Sequence, residues 1–325
     1  MRVFTRSAIT RSLTLDAAIA AVADAHRRLA RGESAAPAPI SVAEPGGEAV
    51  FLGMAAVDTV SGLVGVKLLA DIPSNGSRSL PTQRSAILVS SSRDGRPVAL
   101  LDGASVTRIR TAAVSAVATD ALSPSSARVL GLIGAGGLAL IHVEALSRLR
   151  TFELVVVWSR TAQRADELVR ALLSRDIKAI AVSTPREVVD LADVVCTLTP
   201  SSKPVISGEW LRPGHHINAV GARPRADHRE VDSEAIRRSR VILDTREATL
   251  KESGDILIPL AEGVIEIKDL DAELGDVLIG RVAGRSDDKE ITLFNSLGSG
   301  LQDLAMAGVL LAQEGGASFH LDLDG

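Results

Sequence analysis

The chain has 325 residues, of which 46% are apolar, 23% charged and 2% aromatic, and its formal net charge is −4. That length exceeds what one hydrophobic core usually supports, so two domains are expected, while the slight acidity and scarce aromatics give no case for nucleic acid or an anionic membrane as partner. No apolar stretch approaches the ~18 residues of a membrane span, the basic start MRVFTRSAITRS lacks the apolar run of a signal peptide, and the lone Cys196, inside DVVCTL, reads as a buried inert thiol, so a cytoplasmic protein is expected.

Residues 13–31, LTLDAAIAAVADAHRRLAR, predict a helix. Thr14 can cap it, Asp16 lies in the first turn, basic residues crowd the last, and Gly32 follows where it should stop. The stretch to residue 48 reads as loop. From 49 to 102 the runs AVFLGMAAV, LVGVKLLA, SAILVSS and PVALLDG, separated by turn residues, predict a mostly antiparallel sheet. A helix, ASVTRIRTAAVSAVATDALS, ends near Pro124. From Arg128 strands and helices alternate to about Asp244, which predicts a parallel sheet with helices on both faces. A variable stretch follows, then EITLF, a Gly-rich turn and a last helix. The expected fold is α/β: a Rossmann domain, residues 124–296, inserted into an α+β domain of mostly antiparallel sheet, residues 1–123 and 297–325.

The first strand of the alternating series, RVLGLIG, runs into Gly134, Ala135, Gly136, Gly137, Leu138 and Ala139 and opens a helix. This is the G-x-G-x-x-G/A pattern in the context that gives it meaning. Gly134 permits the tight turn, Gly136 the approach of a pyrophosphate, and Ala139 close helix packing. The helix N-terminus offers N–H groups to phosphate.

The next strand, VVVW, ends on Ser159, Arg160 and Thr161 rather than on an acid. A carboxylate there would accept from a ribose 2′-hydroxyl. An arginine fork matches a 2′-phosphate instead, with the two hydroxyls as further donors. The expected cofactor is therefore NADPH, with NADH disfavoured; the competing reading of Arg160 is a solvated residue at the start of the next helix.

The stretches GVKLLADIPSN, SLPTQRSAIL, VALLDGASVTRIRTAAVSAVAT, HHINAVGA and ITLFNSLGSGLQDLAMA resemble the ornithine cyclodeaminase/mu-crystallin family from about residue 45 to the C-terminus. The likeness is strongest to its mu-crystallin, ketimine reductase branch, where SRT and ATLKESGDIL have similar counterparts. The resemblance implies a homodimer whose outer domain carries substrate binding and dimerisation. It implies that Lys67 is the active-site lysine and Arg110 the arginine that grips a substrate carboxylate. A lysine within an apolar strand is costly to bury unless paired, and a bound carboxylate would pair it. The competing readings are an edge lysine facing water and a structural salt bridge of Arg110. Asp303, on the last helix, is placed to orient Lys67 or a substrate ring nitrogen. Thr199, Pro200, Val220 and Gly298 are expected beside the cofactor and Ser299 beside the substrate.

Three departures from the family pattern bear on substrate. The aspartate that cyclodeaminases carry after the HINAVG-type strand is replaced by Arg223 or a gap, with Asp227 further on. The loop APAPIS lacks the arginine that members often carry. Arg78 and Arg84 either replace that carboxylate contact, recognise another acid group, or are surface charges. His142, His215, His216 and His228 show no metal-ligand spacing and read as structural or surface residues, so no metal is expected. The function expected is an NADPH-dependent imine or ketimine reductase acting on an α-imino acid, an amino-acid dehydrogenase in reverse. The alternatives are an ornithine- or lysine-type cyclodeaminase with bound NAD, and a non-catalytic binder of NADPH or a small acid.

Overall fold

The structure is a computed structural model that describes residues 1–313 and 319–322. The chain opens with β1 (Arg2–Phe4), α1 (Arg6–Ser12), α2 (Leu15–Ala30), β2 (Ser34–Ala35) and β3 (Ile40–Ala43). The long strands β4 (Val50–Asp58), β5 (Leu63–Asp71), β6 (Gln83–Ser91) and β7 (Pro97–Asp102) lead into α3 (Gly103–Leu122). Then come β8 (Val129–Ile133), α4 (Ala139–Leu149), β9 (Leu154–Trp158), α5 (Ala162–Leu173), β10 (Ala179–Ala181), α6 (Pro185–Leu191), β11 (Val194–Thr197) and β12 (His216–Ala219). They are followed by α7 (Ser233–Arg238), β13 (Arg240–Leu243), α8 (Arg246–Glu252), α9 (Gly254–Ala261), α10 (Leu274–Leu278) and β14 (Thr292–Asn295). The last described elements are α11 (Gly300–Ala312) and β15 (Phe319–His320).

Two compact units divide the chain: Met1–Arg110 with Gly298–Gly325, and Thr111–Leu297. In the first, the described strands form one sheet in the order β15-β1-β7-β6-β5-β4-β2, with β3 on the same edge of β4 as β2. The four long strands pair antiparallel, as their alternating runs predict, but β1 lies parallel to β7. Helix α11 packs on α2 and on β4 and β5. Helix α2 starts where the Thr14 hydroxyl accepts from the Ala17 N–H at 3.3 Å, and buries Ile19, Val22 and His26 on one face.

The second unit holds a seven-stranded sheet in the order β10-β9-β8-β11-β12-β14-β13, and every pairing is parallel. The apolar strands are buried on both faces, as a doubly wound sheet requires. Strand order reverses about β8, which has β9 on one side and β11 on the other. Such a switch point opens a crevice at the carboxyl ends of the strands, and the turn at Gly134 lies at that end of β8.

Candidate functional site

The carboxyl end of β8 is shaped for close approach. Gly134 has φ +115°, in the region that favours glycine, and a Cβ there would stand 2.8 Å from the Leu198 carbonyl oxygen. A Cβ on Gly136 would meet nothing within 4 Å, so that side of the turn is open. Ala139 is fully buried at the start of α4, where a larger side chain would separate helix from sheet. The adjoining pocket is an open cleft with a cavity volume of about 210 Å³. Gly134–Gly136, Trp158–Thr161 and Leu198–Ser201 line it, together with Val205 and Arg164.

This set brings together Gly134, Ala135, Gly136, Ser159, Arg160, Thr161, Thr199 and Pro200 from the residues the sequence singles out. Gly137, Leu138, Ala139 and Val220 are outside the lining; Val220 is buried, its N–H donating to Thr197 O at 3.3 Å. Arg164 is a residue that motif reading misses. Arg160 immediately precedes the Thr161 cap of α5, Arg164 lies in the first turn, and no acidic residue accompanies them. Cations at a helix N-terminus oppose its dipole. Two exposed arginines there, neither ion-paired among the described residues, concentrate positive charge at the pocket, and that misplacement is the signal that could have found Arg164.

The other cluster lies wholly within the first unit. Lys67 occupies an inward-facing position of β5, beside Ile87 of β6, and is 2% exposed. Its Nζ stands 2.9 Å from Asp303 Oδ2 on α11. Arg110, on α3, brings Nε to 3.7 Å from Asp303 Oδ1 and donates from Nη1 to Gln302 Oε1 at 3.1 Å. Two buried cations therefore share one carboxylate, the close pairing that a buried charge demands. Among the described residues neither Asp303 oxygen nor Arg110 Nε makes a well-angled hydrogen bond, so each retains directional capacity for a polar ligand. Gln302 and His26, whose side-chain nitrogens lie 3.2 Å apart, extend the network to α2 and were not legible in the sequence.

Gly298, expected beside the cofactor, packs against Arg110: at φ +78°, a Cβ would fall 2.0 Å from Nη1. Ser299 caps α11 without a side-chain capping bond, and its buried hydroxyl has no hydrogen-bond partner among the described residues. Arg84 pairs with Ala70 and so faces the opposite side of the sheet from Lys67, whose partner is Ile87. Arg78 is exposed in the turn Pro73–Arg78 and donates to Asn75 Oδ1 at 2.6 Å. The structure thus brings neither arginine together with the Lys67 cluster.

His142, His215 and His216 are fully buried. Burial pulls His142 and His215 down to about 4 and His216 to about 3, so they are neutral near pH 7. His142 holds the Leu138 carbonyl at 2.7 Å and lies 3.2 Å from the Ser115 hydroxyl. His228 pairs with Asp227 at 2.9 Å, and the Asp227 side chain is 83% exposed. Cys196 is buried and burial raises its thiol to about 12, as an inert thiol requires.

The sequence matches the ornithine cyclodeaminase/mu-crystallin family over residues 1–313. The chain belongs to that family. Within it, the ketimine reductase mu-crystallin of Mus musculus is 37% identical over 258 residues, 79% of this chain and 78% of the relative. The Δ1-pyrroline-2-carboxylate reductase of Thermococcus litoralis, solved in complex with NADH and L-proline, superposes with a TM-score of 0.91 at 32% identity, covering 95% of this chain and 96% of that one. An archaeal alanine dehydrogenase dimer with bound NAD gives a TM-score of 0.91 at 29% identity and 99% coverage of both chains. Among the described residues no helix is long and apolar enough to cross a membrane.

Proposed function

We propose that this family member is an NADPH-dependent imine reductase that reduces an α-imino acid to the amino acid, and that runs as an amino-acid dehydrogenase in reverse. The observation that carries the reading is the buried Lys67–Asp303–Arg110 cluster. Two cations balanced by one carboxylate suit a ligand that brings its own carboxylate. In this reading Arg110 grips that carboxylate and Lys67 faces it from β5, which fixes the C=N carbon in place. NADPH held at the glycine turn would supply the hydride. The proton reaches nitrogen from the Lys67 ammonium or a water that it orients. Asp303 holds both cations and accepts from the substrate N–H.

Preference for NADPH rests on Arg160 and Arg164, with the Ser159 and Thr161 hydroxyls, at the pocket beyond β9. Two arginines match the charge of a 2′-phosphate, which a carboxylate at that place would repel. Cyclodeamination is not favoured, because Asp227 is paired with His228 and largely in water.

A homodimer is part of the proposal. Strand β5 has inverted polarity: Lys67 is inside, while Val66 and Leu68 are 40% and 59% exposed. By register Ile40, Val42, Phe51 and Leu88 share that outer face, each exposed. A contiguous apolar sheet face of this kind calls for a covering partner, and a second copy of this chain is the one proposed.

Absorbance at 340 nm, followed with NADPH and with NADH over a panel of cyclic and linear α-imino acids, tests the reading. Oxidation of NADPH by one imine with only slow use of NADH is expected. An NADH preference would remove the role given to Arg160 and Arg164. Binding of NADPH without turnover of any α-imino acid would overturn the reductase itself.

A further inference from the structure

We infer that Glu230 is a positioning residue for the dinucleotide, clamping the segments that leave β11 and β12 so that Leu198–Ser201 hold the wall of the pocket. The inference rests on the dinucleotide reading of that pocket, but no motif points to Glu230.

Glu230 is fully buried. Its Oε1 accepts from the Thr199 N–H at 2.7 Å and from the Thr199 hydroxyl at 2.5 Å. Its Oε2 accepts from the Thr197 hydroxyl at 2.8 Å, the Gly221 N–H at 2.6 Å and the Ala222 N–H at 3.0 Å. One carboxylate thus satisfies donors from two neighbouring strand ends. The segment it holds is tightly enclosed. A Cβ on Gly221 would lie 2.3 Å from Thr199 N, and a Cβ on Gly134 would lie 3.1 Å from Thr199 Cγ2. Thr199 is therefore fixed between the two glycines, and it lines the pocket together with Pro200 and Ser201. A slack clamp would shift that wall toward or away from the glycine turn.

The clamp requires an anion. Backbone N–H groups face both oxygens, so a glutamine must turn its NH₂ toward one of them and oppose one backbone N–H at Oε1 or two at Oε2. The groups facing Glu230 are Asp255 of α9, which accepts the Glu230 and Val231 N–H groups at 2.8 Å and 3.0 Å, and the Cys196 thiol of β11. Arg229, on Glu230's own segment, offsets the charge of Asp255. Burial, with Asp255 adding, pushes Glu230 up to about 7, against the hydrogen bonds from the threonines. Asp255 is pushed by burial to about 6. The carboxylate form of Glu230 therefore gains population as pH rises through about 7, and the clamp tightens in that direction.

The test is NADPH binding by fluorescence between about pH 6 and 9, in the full chain and in Glu230→Gln, with kcat and imino-acid KM at saturating NADPH. Glu230→Gln is expected to weaken NADPH about tenfold at the alkaline end, while imino-acid KM changes less than about twofold. Wild-type affinity should fall as pH drops through about 7, and the variant should lose that dependence. NADPH affinity in Glu230→Gln within about twofold of wild type, with the same pH profile, would overturn the inference. If Glu230→Gln does not fold, Thr199→Val decides: it removes one donor, and unchanged NADPH affinity would overturn the clamp. Wild type that binds no dinucleotide would sink the pocket reading and take the inference with it, an outcome distinct from a variant that binds normally.

Discussion

The two charged regions of this molecule handle cations in opposite ways. Lys67 and Arg110 are buried and share an internal carboxylate, Asp303. Arg160 and Arg164 stand exposed with no ion pair among the described residues. The difference follows from solvation. A buried ammonium or guanidinium loses water and must find a counter-charge within the protein, whereas an exposed arginine stays hydrated until an anion arrives and adds little to folding. The first region is therefore expected to be sensitive in both stability and catalysis, the second in ligand choice alone.

The sharpest way to break the comparison is Lys67→Met. It keeps most of the volume and removes the cation, and turnover of the imino acid is expected to fall by about 10³-fold, the scale of a lost proton donor and charge partner. Retention of more than about a tenth of the rate would move the proton source elsewhere. Asp303→Ala is the stability counterpart. It leaves two buried cations without their shared acid, and urea unfolding of the first unit is expected to show a loss of about 3–5 kcal/mol. Gly298→Ala comes next: a Cβ 2.0 Å from Arg110 Nη1 must displace the guanidinium. Imino-acid KM is expected to rise about 10–100-fold with NADPH affinity unchanged; loss of NADPH affinity instead would restore Gly298 to the cofactor. At the exposed region, Arg160→Ser is expected to raise KM for NADPH about tenfold, leave NADH almost untouched and reduce the salt dependence, with Arg164→Ser acting more weakly in the same direction.

His142 extends the comparison to a titratable group that burial strips of its proton. His142, at about 4 in the fold against 6.5 unfolded, has a depressed value. Between those values the unfolded chain binds more protons, so stability is fully present above about 6.5 and falls as pH drops toward 4. His142→Gln is expected to flatten that acid limb by up to one proton, about 1.4 kcal/mol per pH unit. An unchanged slope in chemical denaturation between those pH values would contradict it.

The features legible in the sequence were those with strong local signals. The parallel sheet shows as apolar runs bracketing the G-A-G-G turn, and the long antiparallel strands as alternation between turn residues. The missed elements are short and depend on pairing far along the chain. The three residues of β1 lie between β7 and β15, and the two of β2 are ordered by β4, so neither carries a pattern of its own. The same holds in the sites. Lys67 was visible as a charge in an apolar strand, whereas Gln302, 192 positions from Arg110, is chemically unremarkable until the fold brings them together. The face occupied by Arg84 depended on register, which composition does not reveal. The stretch containing α8–α10 mixes polar and apolar residues without a clear period, and its helices escaped notice.

The inserted second unit has a consequence for the newborn chain. Lys67 and Arg110 leave the ribosome early, yet their counterion lies on α11, and the Gln302–His26 contact closes a loop of 276 positions. Strand β1 pairs with β15, and Arg2 donates to the carbonyls of Leu311 and Gln313 near the end of the described helix. During synthesis the parallel-sheet unit is complete in sequence before α11 emerges. Domains generally fold as units as they appear, so the unit bearing the glycine turn can order first, while Lys67, on β5 between β4 and β6, waits without its counterion until α11 emerges. Stalled or truncated chains that stop before Gly300 would then hold a formed nucleotide fold beside an unfinished sheet, a species suited to chaperone capture.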